Sequence, residues 1–211
     1  MKITIFGASG ATGNLLTQRC LNAGHSITAL LRHPDSFRFR NSVRALRGSV
    51  FQPADVVQAI SGADAVLSAL GARSLHKEDV LERAVPVIVR AMQQENVQRI
   101  IVLGSAGAKP DALDKQPVLR WIVENLVYTT VMKWPVASQR SQYETLAASE
   151  LDWTMVMPPL LTNGHGRGTW RTDAFALPRN AVRISRDDVA AFMMQQLDDP
   201  QWVRKAVYIA W

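Results

Sequence analysis

The chain has 211 residues, 47% of them hydrophobic and 20% charged, which excludes a disordered or fibrous protein and suits one globular core. A single cysteine, Cys20, excludes an intrachain disulfide and a zinc site built on cysteines. Lys plus Arg outnumber Asp plus Glu 24 to 18, but without interleaved aromatics, so a phosphorylated small molecule is expected rather than nucleic acid.

In chain order, residues 2–6 form an apolar run that predicts a first strand, and a helical pattern follows over 14–23. Strands are predicted over 25–31 and, more weakly, 43–46; Pro53 then opens a helix that Ser61-Gly62 stops. Residues 64–70 read as a buried strand, 80–94 as a helix and 99–103 as a strand. The second half is less regular: a helix over 138–149, a strand over 153–157 and a glycine-rich loop over 158–171. A short strand over 182–184, a helix over 186–197 and a last strand over 206–209 complete it.

Strands separated by helices predict an α/β fold, a Rossmann-like doubly wound parallel sheet in three αβα layers, within a single domain 1–211. Substrate-side segments are expected at about 107–142 and 158–180. The apolar stretch 117–134 contains Arg120, Glu124 and Lys133, so a packed or site-covering helix is expected there, not a membrane span. The start of the chain shows no secretory signal pattern, and Cys20 is expected to be a buried, inert thiol. The expected compartment is the cytoplasm.

The segment Gly7-Ala8-Ser9-Gly10-Ala11-Thr12-Gly13-Asn14 lies between the first strand and the first helix. Its G-x-x-G-x-x-G spacing is one residue longer at the front than the usual dinucleotide fingerprint, but the mechanism carries over. Gly7 permits the turn out of the strand, Gly10 lets the backbone approach a diphosphate, and Gly13 lets the helix lie close on the sheet. Free N–H groups at the helix start then face the phosphates, with Thr12 and Asn14 as further side-chain donors. The second strand ends in Leu30-Leu31-Arg32-His33-Pro34, with no carboxylate before Asp35. A carboxylate there accepts from the 2′-hydroxyl of NAD, whereas a guanidinium pairs with a 2′-phosphate. Arg32 therefore predicts NADP(H).

Further motifs are Leu70-Gly71-Ala72-Arg73, Gly104-Ser105-Ala106, Met157-Pro158-Pro159 and Arg183-Ile184-Ser185-Arg186-Asp187-Asp188. With the glycine loop and Arg32, they resemble the atypical short-chain dehydrogenase/reductase group of biliverdin reductase B (NADPH flavin reductase) and its NmrA-like relatives, almost end to end. The resemblance implies a nicotinamide near the C-terminal ends of strands four to six. It implies that Ser49 and Val50 flank the adenine and that Leu70, Gly71 and Arg73 line the cofactor. Ser105 would sit near the nicotinamide, and Met157 and Pro158 would hold its carboxamide side.

Most short-chain dehydrogenases move the substrate proton through a Tyr-x-x-x-Lys pair on one helix. Here Tyr128 is followed four residues on by Met132 and Tyr143 by Ala147, while Tyr208 lies at the end. The resemblance implies a reductase that needs no such pair, in which a flat acceptor takes its proton from solvent. Ser105 is the candidate for orienting the nicotinamide or an acceptor carbonyl; the alternative is a strand-end turn serine. Tyr143 is the candidate polar contact to substrate; the alternative is a tyrosine buried between helix and sheet. After Met-Pro-Pro, biliverdin reductase B has a histidine where this chain has Leu160, so His165 either swings over the site from its loop or stays solvated. Trp121, Tyr128, Trp134 and Trp170 form either an apolar wall for the acceptor or core. No metal-ligand spacing is present.

The expected function is an NADPH-dependent reductase of a flavin, quinone or tetrapyrrole-like acceptor, acting as a monomer or small homo-oligomer. The alternative is a non-catalytic NmrA-like protein that senses NADP(H) or binds a partner.

Overall fold

The computed structural model describes residues 1–71, 79–108 and 133–211. Strand β1 (Lys2–Phe6), helix α1 (Ala11–Asn22) and strand β2 (Ser26–Leu31) form the opening βαβ unit. Next come β3 (Arg44–Arg47), α2 (Pro53–Ile60), β4 (Ala65–Ser68), α3 (Val80–Gln94) and β5 (Arg99–Leu103). They are followed by α4 (Lys133–Ala147), β6 (Asp152–Met157), β7 (Leu160–Thr162), β8 (Arg171–Asp173), β9 (Arg183–Ser185), α5 (Arg186–Gln195) and β10 (Lys205–Ala210).

The main sheet has eight strands in the order β3-β2-β1-β4-β5-β6-β10-β8. All pairings are parallel except that of β8 with β10. Strands β7 and β9 form a separate parallel pair.

Side chains alternate across each strand, and this decides which helices cover each face. Ile3, Ile5, Ile101, Val156 and Val207 point to one face, where Leu16 and Cys20 of α1 and Val189, Phe192 and Met193 of α5 pack on them. Phe6, Ile100, Val102, Trp153 and Met155 point to the other, against Val56 and Ile60 of α2, Val85, Ile88 and Met92 of α3 and Leu146 of α4. The result is the three-layer αβα arrangement. Burial also pushes the Cys20 thiol up to about 12, so it remains protonated and inert.

From β1 the chain winds outward to β2 and β3, then crosses back to β4 on the other side of β1. The connections leaving β1 and β4 therefore diverge and open a crevice at the carboxyl edge of the sheet, where ligands of such sheets bind.

Three boundaries differ from expectation. Helix α1 begins at Ala11 rather than 14, because Gly10 caps it without a side chain and so leaves no capping signal in the sequence. Helix α4 begins at Lys133 rather than 138, with Pro135 in its first turn, where no intrahelical N–H is needed. The stretch expected to be one loop over 158–171 contains β7 and the start of β8, and three-residue strands show no usable period. The segment expected to be a covering helix lies, up to residue 132, outside the described residues. No helix among the described residues is long and apolar enough to cross a membrane.

Candidate functional site

The site begins where β1 meets α1. Gly7 has φ +73°, and a Cβ there would lie 2.7 Å from the Ala69 carbonyl; one on Gly13 would run into the Gly7 carbonyl oxygen. The loop is therefore clamped between the end of β4 and the first turn of α1. Its own bonds are Gly10 N–H to the Gly7 carbonyl at 3.0 Å and Asn14 N–H to the Gly10 carbonyl at 2.9 Å. No side chain caps the helix and no acid lies in its first turn. The N–H groups of Ala11, Thr12 and Gly13 thus form an uncapped, positively polarised end, a seat for an anion.

Two clefts meet at this loop. One, of about 450 Å³, is lined by Arg32, Ser49, Val50, Phe51, Asp79 and Arg83. The other, of about 390 Å³, is lined by Gly10, Ala11, Thr12, Ser105, Pro135, Gln139, Leu161 and Arg186. Gly7, Ser9, Leu70 and Gly71 line both, so the two are halves of one groove across the carboxyl edge. The topology thus unites predicted residues from the ends of β1, β2, β3, β4 and β5.

In the first half, Asp55 in the first turn of α2 accepts the Ser49 N–H at 2.9 Å and sets the turn after β3. A Cβ on Gly48 would meet that carboxylate at 2.7 Å. Arg32 is exposed and makes no hydrogen bond or ion pair among the described residues. Sequence reading did not reach Arg83, a second cation here; its guanidinium lies over the Phe51 ring, 4.4 Å from the centroid, and 3.6 Å from Asp79.

In the second half, Ser105 opens a turn closed by the Ala108 N–H to the Ser105 carbonyl at 3.0 Å. Met157 and Pro158 are buried and do not line the groove; the Pro158 carbonyl instead accepts the Ala106 N–H at 3.0 Å and braces that turn. Pro135 and Gln139 present one face of α4 to the cleft at i and i+4. This is the spacing of a Tyr-x-x-x-Lys pair, carried here by neither residue type. Gln142, wholly buried, donates from Nε2 to the Leu103 carbonyl at 3.1 Å and to Gln139 Oε1 at 3.0 Å. The Gln139 amide oxygen is occupied, and its NH₂ is the group left for a ligand.

Other expected residues lie elsewhere. Tyr143 packs edge-to-face on Trp153, with centroids 5.9 Å apart, and lines neither cleft. Trp170 packs in the same way on Phe192 at 5.9 Å and belongs to the core on the α1–α5 face. The Asn14 amide donates one of its two N–H groups to the Gly10 carbonyl at 3.0 Å. His165 lines a neighbouring cavity of about 650 Å³ beside α1, together with Asn14, Gln18 and Arg19. Arg73, Trp121 and Tyr128 lie outside the described residues. Among the described residues no group of His, Cys, Asp or Glu is placed to hold a metal ion.

The 166–168 loop is held by the first turn of α5. Asp187 pairs with Arg19 at 2.7 Å and accepts the Gly166 N–H at 3.0 Å. Asp188, 1% exposed, accepts the N–H groups of Arg167 (2.8 Å) and Gly168 (2.9 Å), the Trp211 indole (2.7 Å) and the Ser185 hydroxyl (3.0 Å). Burial pushes its carboxyl pKa upward, but these donors outweigh burial and hold it below the usual carboxylate range.

An uncapped helix end after β1 and a groove along the switch point, with Arg32 and Arg83 lining one half, define a dinucleotide-binding Rossmann-like protein. Residues 7–200 match the NAD(P)H-binding family, and the chain belongs to it. It is 26% identical over 216 residues to the probable pinoresinol-lariciresinol reductase 3 of Arabidopsis thaliana, covering 99% of this chain and 67% of that protein. Among solved structures, a Burkholderia pseudomallei protein described as a candidate exported protein superposes with TM-score 0.83, 28% identity and full coverage of both chains. The anaerobillin reductase ChuY of Escherichia coli O157:H7 shares the fold, with TM-score 0.78 and 18% identity over 100% of this chain and 97% of its own.

Proposed function

We propose that this protein is an NADPH-dependent reductase that delivers hydride to a flat acceptor of the flavin or quinone class. One observation carries the reading. At the end of the groove opposite Arg32, the described lining holds Ser105 and Gln139 but no Tyr, His, Lys, Asp or Glu to act as a proton donor. The bound dihydronicotinamide would supply the hydride. The chain's own part is to orient the reactants and exclude water, with the Ser105 hydroxyl and the Gln139 amide as hydrogen-bond donors to an acceptor carbonyl. Acceptors whose reduced form draws its proton from water suit such a site. A simple ketone, which needs an acid at the moment of transfer, does not.

At the other end, Arg32 favours NADPH over NADH by pairing with the 2′-phosphate, and Arg83 adds positive potential beside it. The reductase relatives support the reaction type, and use of this cofactor pool is consistent with a cytoplasmic location.

The test is NADPH oxidation, followed by absorbance, with FMN, FAD and a panel of quinones. The expected result is turnover with at least one of them, and with NADPH much better than NADH. Tight NADPH binding with no turnover across the panel would overturn the catalytic reading and leave an NADP(H)-sensing protein.

A further inference from the structure

Arg186 is the only charged side chain lining the 390 Å³ cleft among the described residues. It is the first residue of α5, where the helix dipole disfavours a cation, so helix stability does not account for it. The two carboxylates that follow it are committed elsewhere, Asp187 to Arg19 and Asp188 to the 166–168 backbone and Trp211. Arg186 itself is half-buried and bonded only to neutral acceptors, Asn163 Oδ1 at 2.8 Å and, at the outer limit of a hydrogen bond, the Leu161 carbonyl at 3.4 Å. A full charge thus stands in the groove with no anion paired to it among the described residues.

Its position narrows the choice of anion. Arg186 also lines the neighbouring 650 Å³ cavity, and Ala11, the first residue of α1, lines both cavities with it. Arg186 and the first turn of α1 therefore border the same two cavities. We propose that Arg186 is a diphosphate clamp, pairing with the dinucleotide's diphosphate beside the first turn of α1. Its fork of five donors reaches the phosphate oxygens while still holding β7 through Asn163 and Leu161. Cofactor binding and the acceptor-side strand are coupled through this one side chain. The inference rests on the NADP(H) reading above and adds the residue that completes the phosphate site.

Calorimetric titration of the wild type, Arg186→Gln and Arg186→Lys with two probes tests it. One probe is NADP⁺. The other is adenosine 2′-monophosphate, which keeps the adenosine and 2′-phosphate but lacks the diphosphate. For Arg186→Gln the expected result is about 10- to 100-fold weaker NADP⁺ binding, with the monophosphate within about twofold and partial recovery in Arg186→Lys. Equal losses for both probes would show a merely structural role and overturn the clamp. Unchanged NADP⁺ affinity with a raised KM for an anionic acceptor would overturn it too, moving the anion seat to the substrate. A wild type that binds neither NADP⁺ nor NADPH would sink the cofactor reading itself.

Discussion

The two halves of the groove are built on different principles. The Arg32 half stands on consecutive elements, β1 to α3, and the loop it shares with the other half is shaped by backbone contacts: Gly7 against Ala69 and Gly13 against Gly7. The acceptor half is assembled from Ser105, Pro135, Gln139, Leu161 and Arg186, far apart in sequence, and held by side-chain bonds such as those of Gln142 and the α5 carboxylates. A steric frame leaves little freedom for variation, whereas a hydrogen-bonded frame allows the residues facing the acceptor to change while the cofactor stays.

The comparison is broken most directly at Gly13. Gly13→Ala places a methyl group inside contact distance of the Gly7 carbonyl, which only a shift of the loop relieves. The expectation is a loss of about 3 kcal/mol of stability with NADPH binding abolished. Near-normal binding would show that the loop is softer than its contacts imply.

The acceptor half has a counterpart in Asp188. Asp188→Asn replaces a carboxylate with an amide whose NH₂ faces N–H donors, and a loss of about 2–3 kcal/mol, or roughly 4–10 °C in Tm, is expected. The effect depends on pH in a definite direction. The folded-state pKa is lowered, so the stabilisation is complete above the ordinary carboxyl pKa near 4 and is lost as pH falls through the folded value. In thermal melts the gap between wild type and variant should hold from about pH 7 to about pH 4 and narrow as the pH falls further, with the 163–168 loop becoming protease-sensitive first. A constant gap at every pH would remove the carboxylate from the account.

Arg32→Ala should act on affinity rather than folding, since the side chain is exposed and unpaired among the described residues. NADPH is expected to bind about 10- to 100-fold more weakly, with NADH unchanged. A substantial residual preference for NADPH would assign the rest of the 2′-phosphate recognition to Arg83.

The same division governs what could be read from the sequence. The glycine loop was legible because sterics demand glycine at fixed spacing, and Arg32 stood out as a candidate because Rossmann-like sheets recognise the ribose at the end of the second strand. Arg83, Gln139 and Arg186 were not, because each joins the groove only once the sheet order brings α3, α4 and α5 to its edge. A signal did exist for Arg186: a cation opening a helix ahead of two acids runs against the dipole and calls for a reason beyond the helix. Strands β7 and β8 could not be seen in three residues each, and α1 began early because its cap is a backbone one.

Tyr143 offers the smallest expected effect and the sharpest test of this division. Sequence alone made it a candidate for the acceptor; the structure turns its ring onto Trp153, within the core formed by α4 and the sheet. Phenylalanine preserves that edge-to-face contact and the buried apolar area, removing only the hydroxyl. Turnover of Tyr143→Phe with the best acceptor should therefore stay within about twofold of wild type, and stability within about 0.5 kcal/mol. A drop in kcat of tenfold or more with the melt unchanged would place the hydroxyl at the reacting atoms. The acceptor half would then have a donor on the helix face that packs on Trp153, and the solvent-proton chemistry assigned to the groove would have to be rewritten around it.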